Sequence, residues 1–568
     1  MFHVMNSHDI PNDAGVAIEY RLHGRGQRID FMVSGTTPEG LAQLIIIELK
    51  QWQEVSFSPL ADHVRTYLRG GLVDVSHPSY QSWSYGRLLQ DFYQYVAQDP
   101  ILVSPSVYLH NCHSGTTIKD GRFTDLLAKA PVFLAGERSR LQERIARTIA
   151  LGDKGAVIDR IEDSPVQVSK QLVEALESML KGNEEFVLID DQKTAFEHIR
   201  AMIRNSATEK SAILVKGGPG TGKSVIAINA LVELLSENRN VRYVTKNAAP
   251  RAVFQAQLRG KRFDVATNNL FVSSDAFVDA KSNEFDVLLV DEAHRLAKHS
   301  GFYANLGENQ IAEAINAART TVFFADESQL VTWRDIGTLE NIRAAAAASG
   351  VTLQEHELTA QFRCAGSLDY LEWLDSTLGL GGNDEANLSN SEYQFEVVSN
   401  PSDLREFISE RNLRANKSRL LAGYCWDWVS KRDASRYDIT FDEYGFAMKW
   451  NLTEDGSTWM ISPTSVNEVG CIHTCQGLEG DFMGVIIGDD LEVVDGQLRG
   501  NPFNRSTHDK SLKGFKKAYK ADPASALHRA DILIRNTYRT LLTRGMLGTS
   551  IYCTNPEVAN YFRNRLQR

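Results

Sequence analysis

A chain of 568 residues is longer than a single hydrophobic core supports, so two to four domains are expected. Hydrophobic residues at 43% and charged residues at 23% describe an ordinary globular protein and exclude fibrous or disordered classes. The net charge of −11 argues against wholesale coating of nucleic acid but leaves room for a local basic channel.

In chain order, Val16–Leu22 and Arg28–Val33 read as two strands, with His23-Gly24-Arg25-Gly26-Gln27 as the turn between them. Leu44-Ile45-Ile46-Ile47-Glu48-Leu49-Lys50 follows, and its isoleucine run predicts a central strand buried on both faces. The period of two puts Glu48 and Lys50 on one face at the strand's end. Ionised groups there are costly unless paired or metal-bound. Asp30 on one strand and Glu48-x-Lys50 on the next are what a hydrolytic Mg²⁺ site needs. In that reading Asp30 and Glu48 hold the cation and Lys50 positions the attacking water. Glu19 is a weaker third acidic candidate. Gln81 and Tyr85 are one helical turn apart. Leu141–Ile149 and Val168–Leu176 carry helical spacing, and the Gly182-Asn183 break ends a first domain at 1–185.

The next segment, 186–360, opens with Asp190-Asp191-Gln192, where the Gln192 amide can both donate to and accept from an adenine edge. Ser211–Lys216 reads as a buried strand, and Val225–Val232 as a helix. Between them stands Gly217-Gly218-Pro219-Gly220-Thr221-Gly222-Lys223-Ser224, which fits G-x-x-x-x-G-K-[ST] in the strand–loop–helix context a phosphate-binding loop requires. Its glycines let backbone N–H groups curl round phosphates at a helix N-terminus. Lys223 is expected to reach the β- and γ-phosphates, and Ser224 to ligate Mg²⁺. Val241–Asn247 is a strand ending in the polar Thr245 and Lys246. Phe285–Val290 is an apolar strand running into Asp291-Glu292-Ala293-His294. Asp291 is expected to hold Mg²⁺ and Glu292 to activate water as a general base. Thr321–Gln329 repeats the strand-then-polar pattern, with Gln329 placed to sense the γ-phosphate.

The last segment, 361–568, offers Arg363, then a strand from Ser418 entering the Trp426–Trp428 cluster. His473 to Gly480 precede the strand Met483–Ile487, and Arg539 and Arg544 follow. Lys510, Lys513, Lys516, Lys517 and Lys520 interleave with Phe515 and Tyr519. That mixture suits either a single-strand-binding surface or a solvated loop face. Trp333, Trp426 and Trp428 are expected mainly in packing.

The six cysteines show no C-x-x-C spacing, so neither a zinc site nor a disulfide framework is indicated, and a reducing cytoplasm fits. No signal peptide is expected from Met1–Asn6. Nothing approaches about 18 apolar residues in a row, so no membrane span is expected either.

Two resemblances follow from these residues. Asp30 with Glu48-Leu49-Lys50 resembles the PD-(D/E)xK nuclease superfamily, although Ile29 stands where a proline is usual. Gln81-Ser82-Trp83-Ser84-Tyr85 matches the Q-x-x-x-Y helix of nucleases of the RecB type. The ordered set Gln192, Gly217 to Ser224, Thr245-Lys246, Asp291 to His294, Gln329, Gln361-Phe362-Arg363, His473 to Glu479 and Thr543-Arg544 resembles superfamily 1 helicases. The strings Gln361-Phe362-Arg363-Cys364, His473 to Gly480 and Asn536-Thr537-Tyr538-Arg539 are most similar to the bacterial proteins grouped with Schlafen-type DNA/RNA helicases. By that pattern Arg363 and Arg544 are the arginine fingers. The spacing from Tyr538 to Arg544 is one residue longer than in helicases of the UvrD type, which leaves the place of Arg539 open.

The expected α/β fold is a PD-(D/E)xK-like mixed-sheet domain (1–185) followed by two tandem RecA-like parallel-sheet domains (186–360 and 361–568). The resemblance implies ATP and Mg²⁺ as cofactors, single-stranded DNA or RNA as partner, and a metal-dependent nuclease coupled to a translocase, of the type found in anti-phage immunity. Two rivals stand beside it. One is an NTP-dependent switch whose nuclease fold survives only as a binding module. The other is a translocase that remodels RNA–protein complexes without cutting.

Overall fold

The apolar runs become strands in the order the sequence sets them. In the computed structural model the described residues are 1–22, 27–68, 70–98, 101–164, 179, 186–205, 210–258, 270–301, 306–359, 368–383, 385–388, 391, 393–450 and 458–567. They form two units, one of residues 1–169 with 184–201, the other of 170–183 with 202–568.

In the first unit, β1 (Gly15–Arg21), β2 (Arg28–Thr36), β3 (Ala42–Lys50), β7 (Leu102–Leu109) and β8 (Val132–Leu134) form one sheet in the order β1-β2-β3-β7-β8. The first two pairings are antiparallel and the last two parallel. A separate antiparallel sheet is made of β4 (Ser56–Phe57), β5 (His63–Leu68) and β6 (Gly71–Ser76). The isoleucine run sits where two-sided burial was expected. Leu44, Ile45, Ile46 and Ile47 are all fully buried. Ile45 and Ile47 share a core with Leu141, Ile145 and Ile149 of helix Arg138–Thr148 and its cap. On the other face Ile46 approaches Gly86 of helix Pro78–Phe92, where an added Cβ would lie 3.8 Å from its Cδ1. Each buried isoleucine contributes about 1.5–3 kcal/mol, so β3 anchors the strand end that carries Glu48 and Lys50. The helix expected over Val168–Leu176 and the Gly182-Asn183 break lie outside the described residues.

In the second unit, β9 (Ser211–Gly217), β10 (Val241–Val244), β11 (Phe271–Val272), β12 (Phe285–Val290), β13 (Ala318–Ala325) and β14 (Thr352–Leu358) form a six-stranded sheet, β11-β10-β12-β13-β9-β14. Every pairing in it is parallel. β9 pairs with both β13 and β14, so the Gly217–Ser224 loop leaves from inside the sheet and not from its rim.

The second lobe of that unit is a seven-stranded sheet of β15 (Gln394–Val397), β16 (Ser418–Ala422), β17 (Ile439–Phe441), β18 (Phe446–Trp450), β19 (Glu468–Gly470), β20 (Gly480–Ile487) and β23 (Gly545–Cys553). Its order is β15-β23-β20-β16-β19-β18-β17, parallel except for the final β18–β17 pair. A hairpin of β21 (Leu491–Val494) and β22 (Gln497–Gly500) stands apart. Helix Pro523–Leu542 runs from this lobe to the end of β13, and its Asp522 cap accepts from Ser525 N. Among the described residues no helix is long and apolar enough to cross a membrane.

Candidate functional site

The phosphate-loop segment has the geometry its sequence requires. Gly220 and Gly222 have φ of +75° and +86°. L side chains rarely adopt that conformation, so glycine is needed there. Helix Lys223–Ser236 begins directly after Gly222. Lys223 is buried, and its Nζ donates to the carbonyls of Gly217 and Gly218, each at 2.7 Å. It also lies 3.9 Å from Asp326 Oδ2. Thr221 Oγ1 donates to Gly218 O at 3.0 Å and closes the turn.

Asp291 directly follows β12, which β13 separates from the loop-bearing β9. Its Oδ2 accepts from Ser224 Oγ at 2.8 Å and from the Tyr243 hydroxyl of β10, and its Oδ1 accepts from Glu292 N at 2.9 Å. Burial and the Glu292 charge push the Asp291 carboxyl up. Glu292 has φ of +53°, uncommon for a non-glycine residue and the kind of strain that collects at functional sites. Its Oε2 lies 2.9 Å from His294 Nε2. His294 Nδ1 accepts from Asp326 N at 3.3 Å, and Gln476 Nε2 lies 3.4 Å from His294 Nε2. Burial alone would raise the Glu292 carboxyl, but His294, Arg544 and Lys223 hold it down at about 2. Asp326 behaves alike: burial opposes, and Lys223, Arg539 and His294 hold it at about 2. The donor set of a hydroxyl and a carboxylate in mutual contact is the hard-oxygen chemistry Mg²⁺ prefers, so Ser224 and Asp291 fit that ion.

Gln329 links the two lobes. Its Nε2 donates to Asp326 Oδ2 at 2.8 Å and its Oε1 accepts from Arg544 Nη2 at 3.0 Å. Arg544 lies between the end of helix Pro523–Leu542 and β23, is fully buried, and also donates to Thr540 O at 2.9 Å. Gln476 bridges from the same lobe: its Oε1 accepts from Arg295 Nη1 and its Nε2 donates to Gln329 O at 3.3 Å. Gly477, at φ of +83°, lets this turn approach the first lobe, since a Cβ there would lie 2.7 Å from Pro250 Cγ. Arg539 Nη1 donates to Ser328 Oγ at 2.7 Å, and its other nitrogens pair with Asp375. Asn536 Nδ2 donates to Leu330 O at 3.1 Å, and Arg529 Nη2 to Trp333 O at 2.8 Å. Helix Pro523–Leu542 thus straps the segment from Ser328 to Trp333.

The candidate cleavage residues meet in the first unit. Leu49 N donates to Asp30 Oδ2 at 2.8 Å, and Lys50 Nζ donates to Glu48 Oε1 at 2.6 Å. Glu48 is 2% exposed, and its Oε2 is buried without a hydrogen-bond partner. Burial raises the Glu48 carboxyl to about 7 against the pull of Lys50, with Asp30 and Asp190 adding to the rise. Gln81 and Tyr85 share one helix face, as their spacing predicts; Gln81 Nε2 donates to Tyr85 OH at 3.1 Å, and Tyr85 OH donates to Asp190 Oδ2 at 3.0 Å. Among the described residues no group of three His, Cys, Asp or Glu side chains is placed to hold a metal ion together. Glu19 does not join Asp30 and Glu48: it is exposed and paired with Arg28 at 2.8 Å.

Two expected site residues are not seen in these constellations. Arg363, with Gln361, Phe362 and Cys364, lies outside the described residues. Gln192 is buried in the first unit, its Oε1 accepting from Ile189 N at 3.3 Å. Sequence reasoning missed His294, Asp326, Tyr243, Gln476 and Asp190. The contacts that Asp326 and Gln476 make with His294 span 32 and 182 residues of chain. Trp333 packs against Phe515 at 5.9 Å with Arg529 over its ring, and Trp428 faces Trp450, as packing roles predict. Cys112, Cys425, Cys471, Cys475 and Cys553 are free thiols.

A glycine-rich loop leaving a parallel sheet, an Asp-Glu pair at the end of another strand of that sheet, and a second parallel-sheet lobe lending an arginine define a two-lobed P-loop protein of the helicase kind. Residues 210–555 match the family model described as Schlafen group 3, DNA/RNA helicase domain, and the chain belongs to that family. Uncharacterized protein YPL245W of Saccharomyces cerevisiae is 22% identical over 432 residues, covering 66% of this chain and 90% of that protein. Among solved structures, Pif1 helicase from Candida albicans overlaps 67% of this chain and 99% of its own at 9% identity and a TM-score of 0.30. Bacteroides Pif1 bound to ssDNA overlaps 53% and 86% at 9% identity and a TM-score of 0.25.

Proposed function

We propose that the chain is an ATP-driven nucleic-acid helicase or translocase whose N-terminal unit cleaves the strand in a metal-dependent reaction. The observation that carries the motor reading is the Arg544–Gln329–Asp326 relay, which links a second-lobe guanidinium to the carboxylate facing Lys223. Lys223 follows the β- and γ-phosphates once its amine leaves the loop carbonyls. Glu292, ionised beside His294, accepts the proton of the attacking water. Arg544, with Arg363, stabilises charge on the transferred phosphoryl group, and Gln329 reports its presence to the second lobe. Ser224 and Asp291 would hold Mg²⁺, which when bound neutralises phosphate charge.

Opening and closing of the lobe pair then moves a single strand of DNA or RNA. In the first unit Asp30 and Glu48 would hold a divalent cation, with Lys50 positioning water. The unpartnered Glu48 Oε2 supports that reading. A strand-moving motor paired with a cutting unit suits defence against phage or other foreign nucleic acid in the cytoplasm. In this reading 1–185 is the cleavage domain, with residues 186–201 of the same unit beside it, the rest to 360 is the first motor lobe and 361–568 the second.

Displacement of a labelled strand from partial duplexes of DNA and RNA tests the motor. Incubation of labelled DNA and RNA with Mg²⁺ or Mn²⁺ and ATP tests cleavage. Cutting is expected to vanish in Asp30→Ala, Glu48→Ala and Lys50→Ala while ATP hydrolysis persists. If the wild-type chain leaves every strand intact, the cleavage half falls and the first unit is a binding module.

A further inference from the structure

Asp190 opens helix Asp190–Asn205 and carries a φ of +41°, a conformation that costs a non-glycine residue about 1 kcal/mol. An acidic residue at a helix start ordinarily caps that helix's own amides. Here no described hydrogen bond does so; the carboxylate turns instead to the Tyr85 hydroxyl at 3.0 Å. Tyr85 is buried, held from its other side by Gln81 at 3.1 Å, and is one turn along the helix that covers β3. Glu48, Asp30 and Lys50 complete the surroundings, and Glu48 interacts electrostatically with Asp30, Lys50 and Asp190. Glu48, ion-paired to Lys50, therefore also feels the charges of Asp30 and Asp190. Its Oε2 is buried with no hydrogen-bond partner.

We propose that Asp190 is a positioning residue of the cleavage site: it fixes Tyr85 and adds the third negative charge that draws a divalent cation to the free oxygen of Glu48. The inference rests on the cleavage reading and adds to it a residue about 140 positions beyond the Asp30–Lys50 motif. The strained backbone is then the cost of aiming the carboxylate at Tyr85. Burial raises the Asp190 carboxyl to about 6, with the Asp191 charge adding to the rise and Tyr85 and Lys50 opposing it.

The test uses the full chain and Mn²⁺ as the probe. Asp190→Asn tolerates the positive φ and keeps a hydrogen bond to Tyr85 but removes the charge. Asp190→Gly removes both while relieving the backbone. Mn²⁺ affinity at the Glu48-dependent site, defined by subtracting Glu48→Ala, is expected to fall about tenfold or more in both. Cleavage by Asp190→Asn is expected to be lost at low Mn²⁺ and restored as Mn²⁺ is raised, a rescue that a purely structural role would not give. ATP hydrolysis in the same preparations shows that they are folded. Wild-type Mn²⁺ binding and cleavage in Asp190→Gly would overturn the inference and leave the cleavage reading standing. Equal Mn²⁺ binding by wild type and Glu48→Ala would overturn both.

Discussion

Replacing Arg544 with alanine separates a structural arginine from one that acts on phosphate. Its guanidinium is 1% exposed and donates to Gln329 Oε1, Thr540 O and, at 3.4 Å, Leu478 O. Removing it leaves up to three acceptors in a buried space, each costing about 1–3 kcal/mol unless water enters. A fall in melting temperature of several degrees is therefore expected. The catalytic effect is of another size. An arginine supplied across a cleft to a transferring phosphoryl group is worth about 10³–10⁵ in rate, or roughly 4–7 kcal/mol of barrier. Single-turnover phosphate release at saturating ATP reads that loss directly, and a fluorescent ATP analogue reads binding. The expected pattern is a thousandfold or greater fall in hydrolysis, with affinity changed by less than about tenfold. Arg544→Lys keeps the charge but not the planar fork and is expected between the two. A folded Arg544→Ala variant hydrolysing ATP within about threefold of wild type would refute the finger role and reduce the Gln329 contact to packing.

Glu292→Gln is expected to bind ATP and stall before hydrolysis, seen as retained analogue binding with phosphate release near background. Gly477→Ala places a methyl 2.7 Å from Pro250 Cγ on a backbone at φ of +83° and is expected to pry Gln476 from Arg295 and Gln329. Uncoupled hydrolysis without strand displacement would be its signature, and wild-type displacement would count against the contact. The Glu48 carboxyl is raised to about 7 in the folded chain from 4.5, so between those values the folded form keeps a proton that the unfolded form has lost. Stability in cation-free buffer should therefore fall as pH rises through that window, by about 3 kcal/mol in all. Glu48→Gln should lack this slope, and parallel melting curves for the two proteins from pH 5 to 8 would contradict it.

The sequence carried the motor lobe well because its signals are local. The Gly217–Ser224 loop, the Asp291-Glu292 pair and Gln329 each follow an apolar run, and strand ends on a parallel sheet converge. The Ile45–Ile47 run likewise announced β3, and the spacing of Gln81 and Tyr85 announced that they share one helix face. What escaped depends on distant partners. Nothing around Gln476 shows that it meets Arg295, and nothing around Asp190 shows that it turns to Tyr85 instead of capping its helix. Glu19 shows the converse. An acidic residue in a strand next to Asp30 reads as a candidate, but it lies on the exposed side of β1, paired with Arg28.

The account stands most directly on nucleotide hydrolysis by the loop that holds Lys223. Phosphate release by the purified full-length chain, measured with Mg²⁺ and ATP, with and without single-stranded DNA or RNA, tests it. The account predicts hydrolysis that rises when a strand is added and collapses in Lys223→Ala. Release no higher than buffer with every strand offered, or a Lys223→Ala variant that hydrolyses ATP at the wild-type rate, would contradict it.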